Sequence, residues 1–145
     1  MLTYEQFISL FLQTMNQKLT KPERIYKKKE IGSLFDKGKS SFSYPYKIKW
    51  YETDIPQNGI PIQILISVSK RGFKKAVSRN NIKRLIKEAY RTQKHILWDL
   101  LKDNDKQIHI AIIYIDKAEN DFSFHQKAIA KLLKKIHGEI SKARE

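Results

Sequence analysis

The stretch QIHIAIIYI at positions 107–115 constrains the fold most, because it is a nearly continuous run of β-branched and other apolar residues. Such a run is typical of a central strand, which we predict here. Residues 46–51, YKIKWY, alternate apolar and basic side chains, and residues 62–69, IQILISVS, carry apolar residues on one face, so both are predicted strands. The loop between them, TDIPQNGIP, has the prolines and the Asn-Gly pair of a hairpin-like connection.

Helical spacing of apolar residues predicts the remaining elements. We expect a short helix within residues 2–15, a helix over residues 27–37 that Gly38 ends, a long helix from about Ser78 to Leu97 or beyond, and a helix over residues 122–140. After the first helix, the predicted order is α, β, β, α, β, α. This order favours a small sheet with helices packed on it.

The chain has 145 residues, which suggests one domain. We predict a single domain over residues 21–145 and treat residues 1–20 as an N-terminal extension; the alternative is that translation starts at Met15. The chain contains no cysteine, which excludes disulfides, thiolate nucleophiles and cysteine-based zinc sites and fits a reducing cytoplasm. The apolar runs are far short of the roughly 20 residues that cross a membrane, and the N-terminus lacks the pattern of a signal peptide.

Positive charge is concentrated in residues 70–94, where ten lysines and arginines accompany a single acid, Glu88. This segment contributes +9 of the net charge of +14. Like charges at this density repel one another, so the segment indicates an anionic partner, for which nucleic acid is the leading class.

The predicted long helix is apolar on one side and cationic on the other. The apolar side carries Ile82, Leu85, Ile86, Ala89, Gln93, Ile96 and Leu97, and the opposite side carries Arg79, Asn80, Lys83, Arg84, Lys87, Arg91 and Lys94. Ser78 is the predicted N-cap. An ordinary solvated face is the alternative, in which Glu88 pairs with Arg84 or Arg91, but one glutamate cannot offset six cations.

The turn before this helix, SKRGFKKAVS, adds Lys70, Arg71, Lys74 and Lys75 around a glycine. Free N–H groups at a helix N-terminus attract phosphate, so the turn and the helix are predicted to form one phosphate-binding surface. Arginine binds a phosphate through two hydrogen bonds whereas lysine acts as a point charge. We therefore expect the arginines to orient the partner and the lysines to attract it.

The segment RNNIKRLIKEAYR, which follows SVSK and an apolar strand, resembles the Arg-Asn-Arg signature of the bacterial ribonuclease P protein component, the small basic subunit that works with a large catalytic RNA. The resemblance extends over about residues 22–137. RIYKKKEIGSLFDKGK is similar to the family's first helix and turn, ILISVSK to its second strand, and HIAIIYI to the strand after the basic helix.

The resemblance implies an α/β sandwich of the α+β type, with a small, mostly antiparallel sheet, packed helices and a left-handed β-α-β crossover that carries the basic helix, although right-handed crossovers are the rule. It also implies a cytoplasmic ribonucleoprotein that removes the 5′ leader of precursor tRNA. In such a complex the RNA subunit performs the hydrolysis with bound Mg²⁺, and the protein contributes no catalytic or metal-binding residue. The implied partners are the catalytic RNA and precursor tRNA.

The resemblance carries over two sets of residues. The set implied to bind the catalytic RNA is Arg79, Asn80, Asn81, Lys83, Arg84, Lys87, Arg91, Lys74 and Lys75. The set implied to bind the leader, in a cleft between the first helix and the sheet, is Ile31, Phe35, Lys49, Ser69, Lys70 and Arg71. Two positions depart from the family pattern: Asn81 stands where arginine is usual and Ile31 where an aromatic is usual. Phe35 is therefore the predicted stacking residue for a leader base.

The sequence contains no recognisable active site of its own. Its four histidines are scattered over three predicted elements with no carboxylate-rich neighbourhood, whereas a nuclease needs metal-binding carboxylates or a histidine acid–base pair. Two alternatives stay open. One is a ribosome-associated or DNA-binding protein that uses the same helix, and the other is an autonomous metal-dependent nuclease.

Overall fold

The computed structural model describes residues 3–6, 21–53, 60–101 and 106–143. Of the helix predicted within residues 2–15, only residues 3–6 fall in the described part, where residues 4–6 are helical; the rest of that prediction lies outside the described residues. Within the described part, no helix is both long enough and apolar enough to cross a membrane.

The elements follow in the order of a 3₁₀ turn Lys21–Glu23, α1 Lys28–Lys37, β1 Lys39–Ser43, β2 Tyr46–Thr53, β3 Ile62–Val68, α2 Ala76–Gln93, α3 His95–Leu101, β4 Gln107–Tyr114 and α4 Phe122–Ala143. The three predicted strands, the first helix within the described residues and the last helix are thus confirmed, whereas the long basic helix has other bounds. Three elements of the observed order were not predicted as such: the 3₁₀ turn, β1 and the short helix α3.

The four strands form one sheet in the order β1-β2-β4-β3. β1 and β2 are antiparallel, β2 and β4 are antiparallel, and β3 and β4 are parallel. The mostly antiparallel sheet and the central place of β4 are confirmed, and the parallel pair confirms a β-α-β crossover that carries the basic helix. The left hand of that crossover stays a prediction.

The predicted hairpin-like connection between β2 and β3 does not join two paired strands, so that prediction is wrong. The two strands do not pair, because β4 lies between them and pairs with both. Residues 54–59 of that connection lie outside the described residues.

One face of the sheet packs against α2 and α4. The main core joins strand residues such as Ile48, Ile64 and Ile110 to Ile86 of α2 and Leu132 of α4, all nearly inaccessible to solvent. Period-2 alternation in the strands and helical spacing in the helices place these side chains on facing surfaces. The apolar residues at helical spacing in α4 are buried except Phe124, which is half-buried; the buried ones are Ala128, Ile129, Leu132, Leu133 and Ile136.

The long helix is interrupted at Lys94, so the prediction of one continuous helix from about Ser78 to Leu97 is wrong. α2 ends at Gln93, and the carbonyl of Lys94 accepts the N–H groups of Leu97 and Trp98, each at 3.0 Å, as α3 begins. Lys94 itself was predicted on the cationic side, but only 4% of it is exposed. Helical periodicity predicts an exposed Lys94, but the side chain is buried because its Nζ pairs with a buried carboxylate, Glu23 Oε1, at 2.7 Å.

The opposite face of the sheet is covered in part by α1. Leu34 of α1 forms a second, smaller core with Ile25 and Ala111. Gly38 ends α1, as predicted, and its N–H donates to the carbonyl O of Leu34 at 2.9 Å. A Cβ on Gly38 would lie 2.2 Å from that oxygen and 3.2 Å from the carbonyl O of Trp50, so the close approach of α1 to β2 requires glycine.

Candidate nucleic-acid interface

The start of α2 differs from the prediction. The helix begins at Ala76, and the N-cap is Lys75, whose side chain makes no capping hydrogen bond. Ser78 as N-cap is therefore wrong, because Ser78 already lies in the first turn. The helix starts earlier than expected, and no side chain of its N-cap competes with an anion for the first-turn N–H groups.

Arg79 connects the preceding turn to α2. Its Nη1 donates to the carbonyl O of Phe73 at 2.7 Å and to that of Lys74 at 2.9 Å. Part of the hydrogen-bonding capacity of this guanidinium is thus used inside the protein. Arg79 therefore has a structural role that the helix pattern alone did not indicate.

The predicted cationic face of α2 is accessible along most of its length. Asn80 and Arg84 are exposed, and Lys83, Lys87 and Arg91 are half-buried. The structure thus brings the predicted RNA-binding residues of the helix to one surface. Lys94, which was predicted on the cationic side of the helix but not among the RNA-binding residues, is buried.

The acid of this segment is already paired. Glu88 Oε2 lies 2.6 Å from Nε of Arg91, three residues later, which is one of the two pairings considered from the sequence. Asn81, at the position where the family usually has arginine, is half-buried. Because Glu88 neutralises at most one cation, most of the charge on this face is unbalanced.

These side chains line a groove with a volume of about 620 Å³, whose walls are formed by Arg24, Asn80, Lys83, Arg84, Lys87, Glu88 and Arg91. Partial burial, together with the charges of Arg24 and Lys83, lowers the pKa of Lys87 from its ordinary value. Neighbouring cations therefore disfavour one another's charge in the groove. Arg24 was missed by sequence reasoning, because it lies far from α2 in the chain and outside any helical or strand pattern.

The turn between β3 and α2 presents the other predicted cations. Lys70, Arg71, Lys74 and Lys75 are all exposed. Ser69 organises this turn: its Oγ accepts the N–H of Arg71, and its carbonyl accepts the N–H of Phe73, both at 3.1 Å. The turn and the start of α2 are contiguous, as predicted.

The predicted leader-binding residues lie around α1 and the face of the sheet that α1 covers. Ile31 is half-buried and packs against the small core under α1, whereas Phe35 is 38% exposed. Lys49 pairs with Ala111 of β4, which puts its side chain on this face, half-buried. Ser69, Lys70 and Arg71 follow directly after β3, in the turn that leads to α2.

The sequence did not predict one cross-strand row of residues on this face of the sheet. Phe42 of β1 pairs with Lys47 of β2, which pairs with Ile113 of β4, which pairs with Ser67 of β3. Phe42 is 47% exposed, and Lys47 is exposed beside it. The alternation of YKIKWY already put Lys47 on the basic face, but Phe42 lies in a strand that the sequence did not reveal.

The histidines are not arranged as a catalytic group. His109 and His125 are buried, and each hydrogen-bonds one neighbour, Gln107 at 3.0 Å and Tyr46 at 2.7 Å respectively. Among the described residues, no group of three or more histidine, aspartate or glutamate side chains could hold a metal ion.

Comparison with known proteins identifies the family. The family model of ribonuclease P matches residues 19–137. The chain belongs to the ribonuclease P family. It therefore acts as a protein subunit of ribonuclease P, the endoribonuclease of tRNA maturation.

Relatives and structures within the ribonuclease P family agree with this assignment. The ribonuclease P protein component of Porphyromonas gingivalis strain ATCC 33277 is 35% identical over 122 residues, which cover 84% of this chain and 88% of the relative. That of Chlorobium phaeobacteroides is 33% identical over 127 residues, covering 81% and 87%. The structure of the Staphylococcus aureus RNase P protein matches with a TM-score of 0.58 at 27% identity, covering 77% of this chain and 93% of that one. The Thermotoga maritima RNase P protein, at 22% identity and a TM-score of 0.58, matches in fold and covers 78% of this chain and 96% of that one.

Proposed function

We propose that this chain binds the catalytic RNA of ribonuclease P through the cationic face of α2 and the turn before it, and so promotes removal of the 5′ leader from precursor tRNA. The observation that carries the proposal is the groove along α2. Five of its seven lining residues are lysines or arginines, and its one acid is paired with Arg91. A phosphodiester backbone supplies the anions that such a groove lacks.

The residues have different parts in this binding. Arg84 is exposed and keeps further guanidinium donors besides the Nη2 hydrogen bond to Asn81, so it is suited to a two-bond contact with one phosphate. Lys83 and Lys87 attract the backbone as point charges. Lys74 and Lys75 extend the same surface to the open N-terminus of α2, where phosphate is stabilised by the N–H groups of the first turn.

The leader of precursor tRNA binds, in this proposal, on the face of the sheet beside α1. Phe35 provides an exposed ring on which an unpaired base can stack, which is worth about 1–3 kcal/mol per base. Lys49 and Lys70 provide charge near the leader backbone. Ile31 is half-buried against the small core, so it is assigned to packing under α1 rather than to stacking on a base.

Hydrolysis is proposed to be performed by the RNA subunit with Mg²⁺ held by RNA phosphates, in the cytoplasm. The described residues offer no carboxylate cluster that fits a magnesium site, so no step of the reaction is assigned to a metal on this chain. The protein's contribution is binding and charge neutralisation, which lowers the Mg²⁺ concentration at which the complex is active.

Reconstitution tests the proposal. Cleavage of precursor tRNA is measured at low Mg²⁺ with the cognate RNA alone, with the parent protein, and with the Lys83→Ala plus Arg84→Ala variant. We expect the parent to restore cleavage, and we expect the double variant to bind the RNA with a salt slope about 2 units smaller and to need more protein for the same rate. Lys127→Ala plus Lys131→Ala is the matched control, because it removes the same charge from exposed positions of α4.

Three outcomes would contradict the proposal. Equal salt slopes for the two double variants would show that RNA binding depends on the total charge of the protein and not on the position of the charge on α2. Stronger competition by duplex DNA than by folded RNA would favour a DNA-binding protein. Cleavage by the RNA-free protein with Mg²⁺ would support an autonomous nuclease.

A further inference from the structure

The segment just before α1 is part of the sheet edge. Glu23 and Ile25 are 1% and 4% exposed, whereas Arg24 and Tyr26 between and after them are exposed. Arg24 forms a parallel bridge with Ile64 of β3, and the N–H of Ile25 donates to the carbonyl O of Ile64 at 2.9 Å. The backbone of Arg24 is thus fixed along the outer edge of β3, with its side chain on the opposite side from its two buried neighbours.

A buried ion pair holds this segment against the end of α2. Glu23 Oε1 and Lys94 Nζ are 2.7 Å apart, with 2% and 5% of their side chains exposed. Lys94 Nζ also lies 4.5 Å from the ring centroid of Trp98. Removing one partner of such a pair leaves a buried charge, so the pair fixes the position of the segment strongly.

This arrangement puts Arg24 in the wall of the groove along α2. Arg24 lines the groove together with Lys83, Lys87 and Arg91. Its charge is one of the causes, after burial, of the lowered pKa of Lys87, so the two cations are close enough to repel each other. The sheet edge and the helix each contribute a positively charged wall. A polyanion bound between the two walls reduces the repulsion between them.

We propose that Arg24 is an RNA phosphate-binding residue that contacts a phosphodiester strand from the side of the groove opposite α2, and that the buried Glu23–Lys94 pair positions it. The inference rests on the proposed function, because it names a second wall for the same RNA. It extends the interface to a residue outside the helix and the turn.

The first test is the salt dependence of RNA binding. Affinity of the full chain for the cognate ribonuclease P RNA is measured over a range of salt concentrations with Arg24→Ala, with Arg24→Lys, and with Lys21→Ala as control, since Lys21 is exposed in the neighbouring 3₁₀ turn. We expect Arg24→Ala to weaken binding about 10- to 100-fold and to reduce the salt slope by about 1. Arg24→Lys keeps the slope because it keeps the charge, and Lys21→Ala changes neither quantity.

The second test separates positioning from general stability. Glu23→Gln is measured alone and together with Arg24→Ala. If Glu23 acts through Arg24, the two effects on RNA affinity are not additive, and Glu23→Gln weakens binding much less once Arg24 is absent. Fully additive effects overturn the positioning role. Should Glu23→Gln fail to fold, Glu23→Leu plus Lys94→Met replaces the pair by apolar side chains and is used in the same cycle.

The failures can be told apart. If Arg24→Ala leaves affinity and slope unchanged while Lys83→Ala plus Arg84→Ala reduces both, the inference about Arg24 is wrong and the proposed function stands. If neither variant changes the slope, the proposed function falls together with the inference.

Discussion

Arg84 donates a hydrogen bond from Nη2 to Oδ1 of Asn81, three residues earlier on α2, over 2.9 Å. Asn81 stands at the third position of the Arg-Asn-Arg signature that this segment resembles. The asparagine therefore replaces a cation by a group that orients the neighbouring cation. The hydrogen bond orients the guanidinium of Arg84, but the helix has one guanidinium fewer than the signature.

Asn81→Arg is expected to increase the charge that RNA senses. The change adds a cation beside Arg84 and removes its acceptor, so we expect the salt slope for RNA binding to rise by about 1. Stability should fall by about 1 kcal/mol at most, because residue 81 is only half-buried and one side-chain hydrogen bond is lost. Gln126→Arg, at an exposed position of α4, is the control of equal charge. A slope equal to that of the parent would argue that residue 81 does not face the RNA.

Phe35→Ala is expected to weaken leader binding selectively. Loss of a stacking ring should cost about 1–3 kcal/mol in affinity for precursor tRNA with an unpaired leader and nothing for tRNA without a leader. The control is Phe122→Ala on α4, because Phe122 is also 38% exposed. The measurement is the difference in affinity between the two tRNAs for each variant. The same difference for Phe35→Ala and the parent would exclude Phe35 from the leader site.

Gly38→Ala is expected to destabilise the fold by about 3 kcal/mol, since overpacking costs about 1–3 kcal/mol and the added methyl would meet two backbone oxygens that cannot move aside freely. Gly138→Ala is the control, because a Cβ there has nothing within 4 Å. In the middle of α4 that change should instead stabilise by about 0.5–1 kcal/mol. Urea unfolding measures both. Tolerance of alanine at residue 38 would mean that α1 and β2 can separate without loss.

Acid is expected to destabilise the protein in part through His125. Burial lowers the pKa of His125, although Asp121 and Asp116 act in the opposite direction, and its Nδ1 lies 2.7 Å from the Tyr46 hydroxyl. The folded state therefore favours the neutral ring. As the pH falls below the ordinary histidine pKa of about 6.5, the unfolded chain takes up a proton that the folded chain resists, and the free energy of unfolding falls.

Urea unfolding at about pH 7.5 and about pH 5.5 checks this effect. We expect the loss on acidification to be smaller in His125→Gln than in the parent, while His95→Gln, which changes an exposed histidine, keeps the full loss. Burial also lowers the pKa of His109, so part of the loss persists in every variant. An unchanged loss in His125→Gln would assign the acid sensitivity to other groups.

Much of the fold could be predicted because its signals are local. The strands around Ile48 and Ile64 alternate with period 2, the strand around Ile110 is continuously apolar, and the inward face of α2 repeats at helical spacing. Each of these signals lies within a short window of sequence. β1 could not be predicted, because KSSFS contains a single large apolar residue, Phe42, and gains its structure from pairing with β2.

The part of the site that lies within one helix could be predicted. The part that the fold assembles from segments distant in the chain could not. The cationic face of α2 follows from sequence spacing alone. Lys94 fits the same spacing, yet it is buried because Glu23, 71 residues away, supplies its counter-charge. Arg24 reaches the groove for the same reason, through pairing at the edge of β3 that no local pattern indicates.

The order of the strands has a consequence for synthesis. β4 begins at Gln107, after nearly three quarters of the chain, yet it lies between β2 and β3 and pairs with both. A nascent chain on the ribosome can pair β1 with β2, but it therefore cannot join β3 to them until this late segment emerges. Until then, the strongly basic helix α2 has no complete sheet to pack against. The growing chain therefore exposes its basic segment before the fold can form.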